Sequence, residues 1–306
     1  MRTVLLSLAL GFVACDGGDG NDTDTDTSVG NETAEEITER KFAELVTVAD
    51  AAVAGDGACW SPGDAWLMQN PDTDKQISET RTFTAEDFES GDIVDGATIN
   101  VYEGNDVTVA ADTTVVTDGN GNADVTVDSC TPFAVQVSKD GTKNTYQNHV
   151  VLETTTDNDD GTMNSVADTT YTLIPSLLGV SIDDDKSVIA GAFYDCAGDP
   201  IENAQVVVRD ADGNIPDSLV VNYFVNSFPS RDQAATSPDG LWIAMNIPEG
   251  DWTAEAYVSD GAGGHAIAGT ATITNFADTI GIGSIYWGFD GGVWYPPSCL
   301  AAEEAM

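Results

Sequence analysis

The sequence contains few basic residues and few histidines. Its 306 residues include 10 lysines and arginines against 52 aspartates and glutamates, which gives a formal net charge of −42. A surface of this charge repels phosphate groups, so nucleic acids are excluded as partners and anionic lipid surfaces are poor ones. The two histidines are His149 and His265. This scarcity disfavours histidine-based catalysis and zinc sites built from several histidines.

The sequence also lacks the common catalytic motifs. It has no Gly-x-Ser-x-Gly motif, and His149 is followed by Glu153 at a spacing that does not form the His-x-x-Glu pair of zinc carboxypeptidases. No pair of catalytic carboxylates can be singled out among 52 acidic residues. We therefore expect a non-enzymatic protein. A secreted hydrolase that uses carboxylates is the remote alternative.

The first residues have the character of a signal peptide. Residues 1–14 contain one positive charge, then an apolar run too short to span a bilayer, then small residues. The tetrad Phe12-Val13-Ala14-Cys15 resembles the bacterial lipobox, in which the cysteine is acylated. The resemblance implies a lipid anchor at Cys15 and a place in the cell envelope, at the outer membrane or the periplasmic face. A buried strand or an ordinary secretory cleavage is the alternative.

Residues 15–33 predict a disordered acidic tether, because they have almost nothing apolar to bury and carry charges of one sign. Such leaders resemble those of myxobacterial lipoproteins. Residues 34–76 predict a helical and irregular segment packed on the first domain. Its helix would begin after a capping-box pattern at 33–36 and end near Gly55. One apolar stripe supports this helix, formed by Ile37, Phe42, Leu45, Val46, Ala49 and Val53.

The five cysteines predict disulfides and not a zinc site, because no Cys-x-x-Cys pair occurs. With Cys15 acylated, four candidates remain, namely Cys59, Cys130, Cys196 and Cys299. Three pairings of these four are possible. Proximity within the domains defined below favours Cys59 with Cys130 and Cys196 with Cys299.

An internal repeat defines the domain organisation. Residues 87–101 match residues 195–208 with one gap, 117–121 match 236–240, and 133–137 match 252–256. Apolar and polar residues alternate through short runs in both copies, which indicates half-buried strands between Gly-, Asn-, Asp- and Pro-rich turns. The sequence therefore predicts an all-β fold of two antiparallel β-sandwiches, transthyretin-like or immunoglobulin-like, over 77–153 and 187–298. A linker over 154–186 would join them, and 299–306 would be a tail.

Three stretches of the second copy carry a family resemblance. Residues 198–206 (Gly-Asp-Pro-Ile-Glu-Asn-Ala-Gln-Val), 236–242 (Thr-Ser-Pro-Asp-Gly-Leu-Trp) and 246–252 (Asn-Ile-Pro-Glu-Gly-Asp-Trp) resemble the carboxypeptidase regulatory-like domain. The resemblance covers 187–275 and, more loosely, 78–152. It implies a transthyretin-like sandwich without an active site. It also implies a role in adhesion or in contacts with proteins or carbohydrates.

Two groups of side chains are candidate ligand sites. Asp118, Asn120, Asn122 and Asp124 place oxygen ligands at alternate positions, as calcium loops do, although Ala123 and Ser129 replace the glycine and glutamate of an EF-hand. A turn rich in turn-forming residues is the simpler interpretation. Trp287, Trp294 and Tyr295 belong to a C-terminal aromatic cluster that forms either part of a core or a sugar-stacking platform. No other cofactor is expected, and an envelope protein or a glycan is the expected partner.

Overall fold

The computed structural model describes residue 60 and residues 64–153, 159–259 and 264–301, and within them the chain is mostly β-strand. The predicted helix before Gly55, the tether and the anchor at Cys15 lie outside the described residues. The strands are β1 (Ser78–Asp87), β2 (Thr98–Glu103), β3 (Thr113–Val116), β4 (Asn122–Asp128), β5 (Phe133–Ser138), β6 (Thr142–Lys143), β7 (Thr145–Val150), β8 (Asp159–Ala167), β9 (Lys186–Tyr194), β10 (Gln205–Arg209), β11 (Val220–Val225), β12 (Phe228–Ser230), β13 (Leu241–Pro248), β14 (Gly250–Ser259), β15 (His265–Asn275), β16 (Ile280–Ile282) and β17 (Ile285–Tyr286). Helix α1 spans Asp168–Leu178 and carries Pro175, and two 3-10 turns span Thr73–Lys75 and Pro297–Cys299.

The first sandwich packs a four-stranded sheet, ordered β4-β1-β8-β6, against strands β3-β2-β5-β7. Alternate residues of these strands point inward, as the period-two pattern predicts. The apolar core between the sheets includes Phe83, Val125, Ile99, Val135 and Met163.

The second sandwich packs the sheet β10-β14-β15 against β12-β11-β13-β9. Its core is larger and more aromatic. It includes Phe193, Tyr223, Trp242, Trp252 and Trp287. The expected all-β class with two sandwiches is confirmed.

Strand β16 joins the two sandwiches into one sheet. It lies between β7 and β9 and is parallel to both, with Ile280 paired to Thr145 on one side and to Val188 on the other. The sheet β12-β11-β13-β9-β16-β7-β5-β2-β3 therefore runs through both sandwiches, and β17 extends the pairing along β9. The alternation of Ile282, Ser284 and Tyr286 in the sequence favours a single final strand. The structure has two short strands there, β16 and β17, and both pair with β9.

The segment predicted as a linker contains regular structure in its described part. Strand β8 pairs in parallel with β1 and belongs to the first sandwich. Helix α1 packs its buried face on the outer side of the long sheet, where Leu178 contacts a cluster that includes Val188, Phe224 and Met245. The helix ends at Gly179, which has a φ of 76° and a left-handed conformation that glycine adopts without strain. Within the described residues, no helix is both long and apolar enough to cross a bilayer.

The repeat seen in the sequence reappears as a repeated hydrogen-bond arrangement, here called the threonine clamp. In the first sandwich, the Thr117 hydroxyl donates to the carbonyl of Val94 and accepts from the backbone N–H of Ala97, both at 2.9 Å. In the second, Thr236 does the same with Ile201 at 2.8 Å and Ala204 at 2.9 Å. The hydroxyl thus satisfies two buried backbone groups at the same point of each copy.

A glycine follows each clamp where two backbones approach closely. The carbonyl of Gly121 accepts from the N–H of Ala85, and that of Gly240 accepts from the N–H of Phe193. Their φ angles are 75° and 67°. A Cβ at Gly121 would lie 3.0 Å from the Ala85 oxygen, and one at Gly240 would lie 2.7 Å from the Phe193 oxygen. Both positions therefore require glycine for conformation and for space.

Candidate functional site

The predicted calcium residues lie in a hairpin turn and in the strand that follows it. The Asp118 carboxylate accepts backbone N–H groups from Asn120 at 2.8 Å and from Asn122 at 3.0 Å. These bonds stabilise the ionised form and lower the pKa of Asp118. On β4, Asn122 and Asp124 accept hydroxyl hydrogen bonds from the cross-strand residues Thr84 and Thr82. Each of the three acceptor side chains therefore has a structural role in the turn or in the strand pair.

The same aspartate turn occurs twice more. Asp210 accepts backbone N–H groups from Asp212 and Asn214, and Asp195 accepts them from Ala197 and Asp199. In all three turns the aspartate N–H also bonds to the carbonyl four residues later, which closes the hairpin. Among the described residues, no three His, Cys, Asp or Glu side chains form a group that could hold a metal ion. Part of the aspartate excess is thus explained by turn formation.

The C-terminal aromatic residues pack in or against the second sandwich. Trp287 is 4% exposed, stacks on Phe193, and donates its indole N–H to the carbonyl of Trp60 at 2.9 Å. Trp294 is 8% exposed and stacks on Tyr286, with ring centroids 5.2 Å apart and planes 8° from parallel. This burial favours the core interpretation over an exposed sugar platform for these two tryptophans.

Tyr295 is half-buried and is held by its backbone. The side-chain amide of Gln69 donates to the carbonyl of Tyr295 at 3.0 Å and accepts from its N–H at 2.8 Å. This two-point contact joins the segment before β1 to the segment after β17. Ring burial also raises the pKa of Tyr295.

The disulfide pairing differs from the expectation. Cys130 bonds to Cys299, which joins the loop after β4 to the C-terminal 3-10 turn. The two expected pairs, Cys59 with Cys130 and Cys196 with Cys299, are therefore wrong. Cys196 is also disulfide-bonded, and Cys59, its remaining candidate partner, lies outside the described residues. Proximity along the chain failed as a guide because Cys130 and Cys299, 169 residues apart, meet where the two sandwiches are braced together.

The two segments that flank the sandwiches form a brace, defined here as residues 64–77 with 287–301. Leu67 donates its N–H to the carbonyl of Gly288 at 2.7 Å, and Pro71 forms an isolated antiparallel bridge with Leu300. Lys75 donates its ammonium to the carbonyl of Leu300 at 2.7 Å. Residues 299 and 300 are thus buried parts of the brace and not part of a tail.

The described part of the N-terminal segment does not pack only on the sandwich on which it was expected. Trp60, Trp66 and Leu67 belong to the core of the second sandwich or pack against it, although the segment 34–76 was expected on the first. Nearer β1, the segment contacts the first sandwich, since the Ser129 hydroxyl donates to the carbonyl of Lys75 at 2.7 Å. No local pattern signals these contacts, and only the tryptophans could have suggested burial.

His149 lies at the junction of the sandwiches and not in a catalytic arrangement. Its Nε2 lies 2.6 Å from the carbonyl of Thr272, so that nitrogen carries the proton. Its Nδ1 is buried without a hydrogen-bond partner. Burial lowers the pKa of His149, and the bond to Thr272 opposes this in part. The ring is therefore held neutral as a contact between β7 and β15.

Four carboxyl groups among the described residues have a lowered pKa. Every carboxyl with a resolved shift has a lowered pKa, caused by hydrogen bonds to its ionised form or, at Asp95, by Lys139. The four are Asp95, Asp106, Asp118 and Asp210. A general acid near neutral pH needs a raised pKa, so these groups do not support the hydrolase alternative.

Comparisons with known proteins give only distant similarities. No family model matches the chain, and no curated protein matches it. Among solved structures, the chain is similar to the shaft pilin SpaA from Lactobacillus rhamnosus GG, with 8% identity and a TM-score of 0.23 over 69% of this chain and 98% of the pilin. It is also similar to the Bacillus anthracis TIE protein, with 12% identity and a TM-score of 0.20, covering 33% of that protein. Chlorocatechol 1,2-dioxygenase from Pseudomonas putida has 17% identity and a TM-score of 0.22 over 42% of this chain and 82% of the enzyme.

Proposed function

We propose that the chain is a non-enzymatic protein of the cell envelope, held to a membrane through Cys15, whose two-sandwich body makes structural contacts with another protein. The observation that carries the proposal is the way the body is locked together. Strand β16 completes one sheet through both sandwiches, and the Cys130–Cys299 disulfide joins the loop after β4 to the C-terminal part of the brace. A body fixed in this way suits the transmission of position or load better than a reaction that needs a moving lid.

The location outside the cytoplasm is supported by the disulfide chemistry. Disulfides persist in oxidising compartments and are rare where thiols are kept reduced. The Cys130–Cys299 pair therefore agrees with the signal peptide and the lipobox resemblance of residues 1–15. The repeated threonine clamp supports the duplication of one sandwich plan. A relationship of both copies to carboxypeptidase regulatory-like domains is part of this proposal and rests on the resemblance of residues 198–252.

The calcium and carbohydrate alternatives gain no specific support from the geometry. Asp118, Asn122 and Asp124 are hydrogen-bonded in the turn or across to β1. Trp287 and Trp294 are buried. We therefore keep protein contact as the proposed role.

The test uses the full chain in a diderm bacterium, with Cys15→Ser as the matched variant. The parent chain should incorporate labelled palmitate and fractionate with membranes, whereas Cys15→Ser should lose the label and become soluble in the periplasm. Chemical crosslinking of the parent in the native envelope should give one or a few discrete protein adducts. A parent protein that incorporates no palmitate would contradict the lipid anchor at Cys15. An absence of adducts at every crosslinker length would contradict the protein contact.

A further inference from the structure

The edge strands of the second sandwich are closed by neighbouring parts of the chain. At β10, the N–H of Val206 donates to the Tyr223 hydroxyl at 2.9 Å. Along β15, the N–H of Thr270 donates to the carbonyl of Phe289 at 3.0 Å. Strand β12 has three residues, and Pro229 in its centre has no N–H to offer. These features prevent the addition of a further strand.

Strand β4 of the first sandwich is an edge of a different kind. It has seven residues and, among the strands of the described residues, β1 is its one partner. The hydrogen bonds of Gly121 with Ala85 and of Ser129 with Ile77 fix the register, so the odd-numbered residues direct their backbone groups to β1. The N–H and C=O groups of Asp124, Thr126 and Asp128 therefore point away from the sheet. Within the described part of the chain, these three residues have no backbone partner on that side.

The second sandwich shows what a neighbour of β4 looks like. Strand β13 is the counterpart of β4, because each follows a clamp glycine and pairs antiparallel with the first strand of its copy. Beside β13 lies β11, paired antiparallel from Val220 with Met245 to Tyr223 with Trp242. In the first sandwich the corresponding connection forms β3, which pairs with β2 instead. Among the residues that the structure describes, no strand takes the position beside β4 that β11 occupies beside β13.

The charge of β4 restricts what can occupy this position. Asp124, Thr126 and Asp128 point to solvent and are exposed, whereas Ala123, Val125 and Val127 are buried in the core. A second copy that paired β4 with β4 about Thr126 would place Asp124 directly opposite Asp128. Like charges directly opposite one another destabilise a strand pair, and each chain carries a net charge of −42. A strand with basic side chains at alternate positions would match instead.

We propose that the open edge of β4 accepts an extended, basic segment of a partner protein as an added antiparallel strand. The proposal rests on the protein-contact function proposed above and names the site and the chemistry of the partner. Main-chain hydrogen bonds to Asp124, Thr126 and Asp128 give affinity, and the two carboxylates select lysine or arginine. A small cavity lined by Val127, Pro132 and Phe133 together with Glu103 and Asp128 lies at the end of this edge.

The direct test measures binding of a fluorescent nine-residue peptide that alternates lysine with valine. The protein is the full chain carrying Cys15→Ser, which keeps it unacylated. Two control peptides replace every lysine by glutamate or the central valine by proline. We expect the basic peptide to bind, the glutamate peptide to fail, and the proline peptide to bind more weakly because it cannot complete the ladder. Absence of binding by the basic peptide up to millimolar concentration would overturn the proposal.

The decisive variant is Thr126→Pro, which removes an outward N–H and leaves the backbone hydrogen bonds to β1 in place. It also removes the exposed side-chain hydrogen bond between Thr126 and Thr80, just as Thr114→Pro removes the one between Thr114 and Asn100. Loss of a strand hydrogen bond worth about 1.4 kcal/mol corresponds to binding that is weaker by about tenfold. Thr114→Pro is the matched control, since it makes the same change at the exposed edge of β3. Equal binding by the parent and Thr126→Pro, or a loss confined to Thr114→Pro, would show that β4 is not the site.

A second variant keeps the proposal testable if proline disturbs the fold. The double variant Asp124→Asn with Asp128→Asn leaves the backbone unchanged. It should bind the basic peptide more weakly than the parent does, and this binding should depend less on salt. Unchanged affinity would contradict the proposed charge selection.

Crosslinking in the envelope then separates the two proposals. If the parent and Thr126→Pro give equal adducts, the protein-contact function is supported and β4 is not its site. If neither gives adducts, the protein-contact function itself is contradicted.

Discussion

The two sandwiches share their turns but differ in how the next strand is placed. Thr117 and Thr236 bind the equivalent carbonyl and N–H groups in each copy. The strand that precedes the clamp belongs to a different sheet in each copy. In the first copy β3 pairs with β2, whereas in the second copy β11 pairs with β13. A short-range hydrogen-bond arrangement is therefore kept while long-range pairing changes. This change decides which edge of each sandwich remains open.

The longer connection of the second copy explains the difference. It brings Tyr223 fully into the core, where the ring fills space between the sheets and the hydroxyl closes the edge of β10. Burial in the core raises the pKa of Tyr223, so the hydroxyl stays neutral. In the first copy, the shorter connection has no such aromatic residue, and β3 itself completes the edge of β2.

The largest expected effect comes from the disulfide that joins the first sandwich to the C-terminal part of the brace. Cys130→Ser with Cys299→Ser opens a loop with a sequence separation of 169 residues and should lower the free energy of unfolding by about 5 kcal/mol in the chain-entropy model. Denaturant unfolding measures this loss. Ser298→Ala, at an exposed hydroxyl beside the disulfide, is the control and should stay within about 0.5 kcal/mol. Equal stability of the parent and the double variant would show that the brace holds without the bond.

The threonine clamps should be equivalent in energy if they are equivalent in structure. Thr117→Val and Thr236→Val each leave a buried N–H and a buried carbonyl without a partner and should each cost about 2 kcal/mol. Thr→Ser at the same positions keeps the hydroxyl and should recover most of the loss. Urea unfolding of the four variants checks this, and a loss confined to one copy would break the equivalence of the two sandwiches.

Asparagine substitutions at two left-handed glycines of the first sandwich have unequal expected effects, because the space around the two residues differs. Gly96 has a φ of 65° and open space around it, and its counterpart Asn203 has a φ of 66°. Gly96→Asn should therefore change the free energy of unfolding by less than about 1 kcal/mol. Gly121→Asn should cost about 2 kcal/mol, because its side chain would meet the Ala85 carbonyl in a left-handed conformation. Similar melting temperatures for both variants would contradict the close approach at Gly121.

The smallest effect concerns the histidine between the copies. The folded pKa of His149 is lowered by burial, so the unfolded chain binds more protons as the pH falls. The contribution of His149 to stability is fully present above its unfolded pKa of about 6.5 and is lost as the pH falls through the lower folded pKa. His149→Gln can still donate to Thr272 and should show a flatter stability profile between pH 7.5 and 5.5, measured by urea unfolding. An unchanged slope would place the pH dependence elsewhere.

The sequence predicted several particular elements. The alternation of apolar residues predicted β2, β4, β5, β10 and β14, since inward positions recur every second residue. The aligned Thr-x-x-x-Gly segments predicted equivalent turns, and the structure confirms them as the threonine clamps. The interpretation of Asp118 as a turn residue also agrees with its two backbone hydrogen bonds.

Other elements could not be found in this way. Strand β8 and helix α1 occupy part of the predicted linker, and β16 has three residues whose parallel partners are both distant along the chain. Helix α1 contains Pro175, a residue that normally argues against a helix. Its place is set by packing on the long sheet, which overrides local preference.

By itself the sequence determined the all-β class, the duplication, and the turns that aspartate, threonine and glycine form with their own neighbours. These features depend on hydrogen bonds and side-chain alternation within a few residues, so local chemistry is sufficient to specify them. Only the tertiary structure decided that Cys130 pairs with Cys299, that β16 joins the sandwiches, and that β4 has no second neighbour among the strands of the described residues. Each of these depends on which distant segments meet, and that choice is made by the packing of the whole chain.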